Sequence, residues 1–194
     1  TRFAYDYTDS STGMFKTRVS DPLNHDTTYT SDSGGAVTLI EEPESRRTVI
    51  TWKPLDILKA SETDPNLRLT EYDYDGNGNR ILERVHAPGI GPVETLHEYE
   101  PAFNRMIYRR DAEGRETRYE IDPANGDLLS VTDALLNQTV NTYDAHGQLL
   151  SVRDPRGNVT QYRDHTTYGD PQAVEDALHN VSTRVYDPRG RLTD

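Results

Sequence analysis

Residues 143–162 read YDAHGQLLSVRDPRGNVTQY and contain one complete unit of local structure. An aromatic residue is followed by a turn centred on Gly147, an apolar strand at 149–152, a second turn at 154–157 and a strand that returns to Tyr162. Asp-Pro starts a turn because proline fixes φ, and glycine closes it because glycine tolerates positive φ. The stretch therefore predicts two short strands and two turns.

The same plan recurs along the chain, most visibly as an aromatic residue followed by an acid. The aromatic positions that we assign to successive units are Tyr5, Tyr29, Trp52, Tyr74, Tyr99, Tyr119, Tyr143, Tyr162 and Tyr186, at spacings of 24, 23, 22, 25, 20, 24, 19 and 24 residues. The polar and glycine positions that we assign to the repeat signature are Asp6, Asp75, Asp144, Gly147, Asp154, Gly157, Asp187 and Gly190. Recurrence at a near-constant period indicates a repeat protein. We predict one array of about eight units over residues 1–194.

The repeat predicts the fold class. Strands such as 117–121 are too short and too polar to be stable alone, and a single hairpin is marginal in water. Stacked hairpins pair their backbones and align one side-chain face. We therefore expect an all-β protein in which tandem β-hairpins form an elongated, curved antiparallel sheet strip. Residues 52–64 could be helical by periodicity, but Trp52 occupies an aromatic repeat position, which favours strand.

The composition limits the class of protein. Only 33% of the 194 residues are hydrophobic and the mean hydropathy is −0.85, so a globular core would be thin. The 12 tyrosines suit a half-buried sheet surface. With no cysteine, disulfides and thiolate metal sites are excluded. A net charge of −12 would repel a phosphate backbone, so we expect no nucleic-acid partner.

One stretch, EYDYDGNGNR at 71–80, contains the residues of a calcium loop. Asp73, Asp75 and Asn77 fall at positions 1, 3 and 5 of an EF-hand pattern, which needs a glutamate at position 12. Arg84 occupies that position, and a cation there opposes the metal. Tyr74 also falls on the repeat, which favours a structural turn and leaves a weak calcium site as the alternative.

No catalytic or cofactor pattern emerges from the sequence. The six histidines show no HExxH or paired spacing, and no single carboxylate pair stands out for glycoside chemistry. Most acids of a repeat form a solvated face. We therefore expect no enzyme, no catalytic residue and no cofactor.

The Tyr-Asp pair, the following Gly-x-Leu, the Asp-Pro-x-Gly turn and the 19 to 25 residue spacing resemble the YD repeats of the Rhs (rearrangement hotspot) family. That family includes bacterial polymorphic toxins and the shell components of insecticidal Tc toxin complexes, with teneurins as relatives. The resemblance implies part of a β-sheet shell that encloses a C-terminal toxin. The chain lacks the family's Pro-x4-Asp-Pro-x-Gly-Leu cleavage motif, because Gly190 is followed by Arg191.

The resemblance implies a function and a set of partners. We expect a structural, encapsulating shell segment of a secreted or surface protein, bacterial rather than animal, whose partners are neighbouring YD repeats and an enclosed toxin polypeptide. The alternative is a module that binds glycans or proteins at a cell surface through exposed Tyr and Asp rows. Since the array starts at Thr1 and stops at Asp194 within repeat units, we expect truncation at both ends and self-association through edge strands. The cargo, the organism and the oligomeric state are not encoded in these patterns.

Overall fold

The computed structural model describes residues 2–9, 13–54 and 58–193. The chain divides into two compact units, with the boundary between Leu96 and His97. Each unit is a run of antiparallel strands joined by short turns, and each is described by itself. Thr1 and Asp194, the residues at which truncation is expected, lie outside the described residues.

In the first unit each strand pairs antiparallel with the strand that follows it in the chain. The strands are β1 Arg2–Asp9, β2 Met14–Ser20, β3 Asp26–Ser31, β4 Val37–Glu42, β5 Arg46–Trp52, β6 Lys59–Thr63, β7 Leu69–Tyr74, β8 Arg80–His86 and β9 Val93–Tyr99. β9 pairs with β8 through its residues 93–96.

The second unit follows the same plan of consecutive antiparallel pairing. Its strands are β10 Met106–Arg110, β11 Glu116–Ile121, β12 Leu128–Thr132, β13 Gln138–Tyr143, β14 Leu149–Arg153, β15 Val159–His165, β16 Pro171–Glu175 and β17 Val181–Thr183. Tyr186 and Leu192 form one further isolated antiparallel bridge.

The prediction of an all-β protein built from tandem antiparallel hairpins is confirmed. The helical structure among the described residues is one three-residue 3₁₀ turn, Pro43–Ser45. The segment 52–64 is strand at both ends, since β5 runs to Trp52 and β6 begins at Lys59. Residues 55–57 between them lie outside the described residues. No helix of the described chain is long and apolar enough to span a membrane.

The expected thin core is thinner than in an ordinary domain. Among the residues whose side chains the structure describes, one hydrophobic residue is buried, Ile50 at 8% exposure. The hydroxyl residues Thr30 and Ser130 are also buried. Most strand residues are half-buried because each contacts its cross-strand neighbours and has little above or below it. Strand pairing and side-chain contacts within the sheet therefore carry the fold.

Candidate functional site

One turn geometry recurs throughout both units, and Asp154 shows it most simply. The Asp154 main-chain N–H donates to the Asn158 carbonyl at 2.9 Å, and the Gly157 N–H donates to the Asp154 carbonyl at 3.0 Å. Asp154 Oδ1 accepts the N–H groups of Arg156 at 2.9 Å and Asn158 at 2.8 Å. Both side-chain bonds recur at Asp21, Asp32, Asp64, Asp75, Asp111, Asp133, Asp144, Asp176 and Asp187.

The second carboxylate oxygen of most of these turns is also bonded. Asn158 Nδ2 donates to Asp154 Oδ2 at 2.7 Å, and Arg191 Nε donates to Asp187 Oδ2 at 2.7 Å. Asn79, Asn137, Asn180 and Arg115 make the equivalent bond in their own turns. The fourth residue after the turn aspartate therefore completes the carboxylate's hydrogen bonding in these turns. The sequence analysis missed these positions, which are recognisable as the fourth residue after the turn aspartate.

These hydrogen bonds change the acidity of the turn carboxylates. The Asn158 side chain, followed by the backbone N–H groups of Asn158 and Arg156, lowers the pKa of Asp154 below its ordinary value of 3.8. In Asp144 the largest cause of the lowered pKa is the backbone N–H of Gln148. Each bond stabilises the ionised form, so the carboxylate and the turn support each other.

The candidate calcium loop is one of these turns. Asp75 Oδ1 accepts the N–H groups of Asn77 and Asn79, and Asp75 Oδ2 accepts Asn79 Nδ2. Asp73 Oδ1 accepts a 2.7 Å bond from Lys53 Nζ. The oxygens that a cation would need therefore already accept donors from the protein. Within the described ranges no group of three or more His, Asp or Glu side chains could hold a metal ion.

The two turns of each repeat lie at opposite edges of the sheet, because consecutive antiparallel strands run in opposite directions. We call the turns that follow the aromatic position edge-A turns: 32–36, 75–79, 100–105, 122–127, 144–148, 166–170 and 187–191. The others of the same kind are edge-B turns: 21–25, 64–68, 111–115, 133–137, 154–158 and 176–180.

A β-bulge and an aromatic hydrogen bond mark the strand end before edge-A turns. The register shifts between Thr142 and Tyr143, and Tyr143 then pairs with Leu149. Tyr143 Oη donates to the Leu128 carbonyl at 3.0 Å. Leu128 is the first residue of β12, in the preceding hairpin. Trp52 Nε1 donates to the Val37 carbonyl at 2.8 Å in the same way. At these positions the aromatic residue therefore ties its hairpin to the one before it.

The structure shows two aromatic columns where the sequence analysis had assigned one. The residues that directly precede edge-A turns are Ser31, Tyr74, Tyr99, Ile121, Tyr143, His165 and Tyr186, and Trp52 precedes the loop at 53–58. Tyr29 and Tyr119 lie two residues earlier, and Tyr162 lies three residues earlier. Spacings in the first column are 21, 22, 25, 22, 22, 22 and 21 residues, more regular than those that mix the two columns.

Some residues of the first column are not tyrosine, and this explains why the Tyr-Asp pattern did not identify the column at every repeat. Ile121 has no hydroxyl and gives no Tyr-Asp signal. His165 is followed by Thr166 instead of an acid, yet His165 Nε2 lies 3.0 Å from the Leu149 carbonyl, the equivalent of the tyrosine bond. Thr166 Oγ1 accepts the N–H groups of Tyr168 and Asp170, as the turn aspartates do. Tyr5 and Asp6 lie in β1, where the register against β2 shifts between Tyr5 and Tyr7.

The second aromatic column occupies one face of each sheet. In the second unit Tyr119 pairs with Val131 and Tyr162 pairs with Val174 on that face, and the opposite face carries the Arg163–Glu175 ion pair. In the first unit Tyr29, Ile40, Ile50, Tyr72 and Val85 share one face with Glu62 and Glu83, which pair across strands with Ile50 and Tyr72. The other face carries the ion pairs Arg47–Glu41, Arg84–Glu94 and His86–Glu71 at 2.8, 2.8 and 2.7 Å, together with the apolar pair Leu39–Val49.

The comparisons with known proteins agree with this repeat. Residues 143–163 match the family model described as RHS Repeat. The chain contains an RHS repeat. The matched residues include the repeat 143–162 that shows the sequence pattern most completely. The same turn and strand geometry recurs in the other repeats. None of the curated proteins matches the chain.

Solved structures share the fold. A chain of a TcdB2–TccC3–TEV crystal structure aligns with a TM-score of 0.62 at 14% identity, over 92% of this chain and 11% of that chain. A chain of a Tc holotoxin pore of Photorhabdus luminescens aligns with a TM-score of 0.60 at 19% identity, over 94% and 10%. A TcdB2–TccC3–Cdc42 chain gives 0.54 at 13% identity, over 92% and 12%. The chain thus spans about a tenth of the length of these Tc toxin chains.

Proposed function

We propose that these RHS repeats are one array of wall material that, in a longer secreted or surface-exposed bacterial protein, encloses a toxin polypeptide. The observation that carries the proposal is the near absence of a core: Ile50 is the one buried hydrophobic residue among those described. A sheet with two partly exposed faces and almost no core suits a wall, whereas an enzyme or a compact binding domain needs a packed interior that holds a concave site.

The use of the functional groups supports the same conclusion. The turn aspartates accept hydrogen bonds from their own turns, and residues of the first aromatic column bond neighbouring hairpins. Tyr186 follows the rule, with Oη 3.3 Å from the Pro171 carbonyl. Side chains that bond to neighbouring repeats stabilise the array, and those side chains are then not available to bind a ligand. Aromatic residues that bond to neighbouring repeats are expected in a wall. The fold shared with Tc toxin chains supports the same function.

Protection of a downstream segment from protease would test the proposal. The longest reading frame that contains this chain would be expressed, and its C-terminal segment followed during digestion. We expect that segment to resist cleavage in the folded protein and to be cut rapidly when expressed alone or after the wall is unfolded. Equal cleavage rates with and without the folded repeats would contradict enclosure.

Glycan binding remains a second candidate because of one cavity in the first unit. A cavity of about 930 Å³ is lined by Trp52, Asp32 and Lys53 together with two glycines, a combination of ring, acid and base that suits a sugar. Because Trp52 is the one tryptophan of the chain, its fluorescence reports on this site directly. We expect no change when saccharides are added. A saturable shift that Asp32→Ala removes would favour the binding function.

A further inference from the structure

Exposed aliphatic side chains concentrate at edge B. In the second unit Leu135 is 81% exposed, Leu136 is 83% exposed and Leu178 is 82% exposed, and all three lie at tips of edge-B turns. Exposed leucines on a soluble surface are common when scattered, but two adjacent ones at one protruding tip, Leu135 and Leu136, favour contact with another molecule.

The backbone of Leu136 adds a second observation. Leu136 has φ of 64°, in the left-handed region that disfavours residues with a Cβ. The neighbouring edge-B turns place Gly114 and Gly157 at the same position, with φ of 80° and 87°. The leucine is therefore strained at a position where glycine would not be. Nothing in its own unit compensates for this strain, because the side chain is almost wholly exposed.

The space on either side of Leu136 is open. A cavity of about 210 Å³ lies between turns 111–115 and 133–137, and one of about 420 Å³ lies between turns 133–137 and 154–158. A Cβ built on Gly114 or Gly157 would have no atom within 4 Å. The tip with Leu136 therefore projects between two recesses. A second edge with the same tip and recesses is complementary to it in shape.

The charges beside the leucine tip decide which partner fits. Glu113 lies at the tip of the preceding edge-B turn and Arg156 at the tip of the following one. Strands in a sheet are about 4.8 Å apart, so consecutive edge-B turns are about 9.5 Å apart and the three tips form a row. Glu113 pairs within its turn with Arg115, but both side chains are about two-thirds exposed, and such surface pairs are weak.

We propose that edge B of the second unit binds the same edge of a second copy of this chain about a two-fold axis through the turn 133–137. The axis brings Leu135 and Leu136 against the same residues of the other copy. It also places Glu113 of each copy opposite Arg156 of the other, because the row acid–leucine–base is its own complement when reversed. The contact involves few residues, so the dimer is weak, with a dissociation constant of about 1 mM.

Charge reversal tests the proposal by sedimentation equilibrium at about the dissociation constant. Glu113→Arg and Arg156→Glu should each weaken association roughly tenfold, since each places like charges opposite one another. The two changes shift the net charge in opposite directions, so a loss common to both cannot come from net charge. An equal mixture of the two variants should form a heterodimer, and the double variant should dimerise as the original chain does.

Two matched variants complete the experiment. Arg189→Glu changes the same Asp-Pro-Arg-Gly tetrapeptide in an edge-A turn and should leave association unchanged. Leu136→Asn should weaken association roughly tenfold while the urea midpoint rises slightly, because asparagine tolerates the left-handed conformation better than leucine. A strictly monomeric chain, association that survives both reversals and Leu136→Asn, or an equal loss in Arg189→Glu would each overturn the proposal and, where association persists, assign it to another surface such as the strand edges.

Discussion

The two edges of the second unit use the same turn in different surroundings. At edge A successive turns touch: Phe103 lies against Gly126, and Tyr168 lies against Gly190 with its Oη 3.2 Å from the Pro188 carbonyl. At edge B the tips stand apart, and the space beside Gly157 is empty to 4 Å. The turn itself is therefore autonomous, and at edge A contact between successive turns is added by aromatic side chains within the turns, Phe103 and Tyr168.

The largest expected effect is the loss of an edge-A aromatic bond. Tyr143→Ala removes a half-buried ring and its bond to the Leu128 carbonyl, and should lower the free energy of unfolding by about 3 kcal/mol. Tyr143→Phe, which removes the hydroxyl alone, should cost about 1 kcal/mol. Urea unfolding measures both.

Tyr168→Ala is the control for this experiment. Tyr168 is 68% exposed at an edge-A tip, so its truncation should cost under about 1 kcal/mol. If Tyr143 and Tyr168 cost the same, the first aromatic column does not hold the hairpins together.

The next effect compares one substitution at the two edges. Gly126→Ala would place a Cβ 2.7 Å from Phe103 Cγ at φ of 81°, so it should cost about 3 kcal/mol through the clash and the strained backbone together. Gly157→Ala has φ of 87° and open space, so it should cost only the strain, about 1 kcal/mol. Thermal unfolding of both variants would show whether edge-A turns touch in solution, and equal losses would mean that they do not.

The sequence predicts the hairpins and the turns because each is encoded locally. Asp154, Pro155 and Gly157 specify a turn without help from distant residues. The first-column position is harder to predict. Side chains alternate along a strand, so an aromatic residue can stand directly before the turn or two residues earlier, and the bulge then shifts the pairing register. Tyr119 therefore looked equivalent to Tyr143, although Ile121 occupies that position. The turn alone does not mark the column, since Asp111 and Asp154 begin the same Asp-x-x-Gly turn at edge B; the first column is found by taking every second turn.

Contacts between edges could not be predicted from the sequence. The Tyr143 bond reaches a carbonyl 15 residues earlier, and its acceptor is a backbone atom that any residue supplies. The open side of edge B depends on the empty space beside Gly157, which has no sequence signature distinct from that of Gly190. Edge identity follows only from counting strands, and that count requires the correct register.

Acid should weaken both edges, because both share the turn carboxylate. Asp144 at edge A and Asp154 at edge B each have a lowered pKa, so the ionised form stabilises the folded state above the ordinary value of 3.8. That contribution is lost as the pH falls through the lower folded pKa. Urea midpoints should be constant above about pH 5 and fall below about pH 4.

Asp144→Asn and Asp154→Asn test this pH dependence at one carboxylate each. Each variant should show a shallower fall in stability below pH 4 than the original chain, and the two should match. A fall that is unchanged in both would mean that the acid sensitivity arises elsewhere. A fall that changes only in Asp144→Asn would mean that the turn is stabilised by contacts at edge A and is not autonomous.

The smallest expected effect concerns a strained leucine at edge B of the first unit. Leu67 has φ of 61° and is 74% exposed in the turn 64–68, where Asn24 holds the equivalent position in the turn 21–25. Asparagine tolerates this conformation better than leucine, and little apolar surface is lost from so exposed a side chain. Leu67→Asn should therefore raise the free energy of unfolding by about 0.5 kcal/mol, measured as a higher urea midpoint with an unchanged slope. Asn24→Leu, the reverse change in the matching turn, should lower it by a similar amount. Destabilisation by Leu67→Asn would show that Leu67 packs against another part of the protein in solution, and edge B would then be stabilised by contacts, as edge A is.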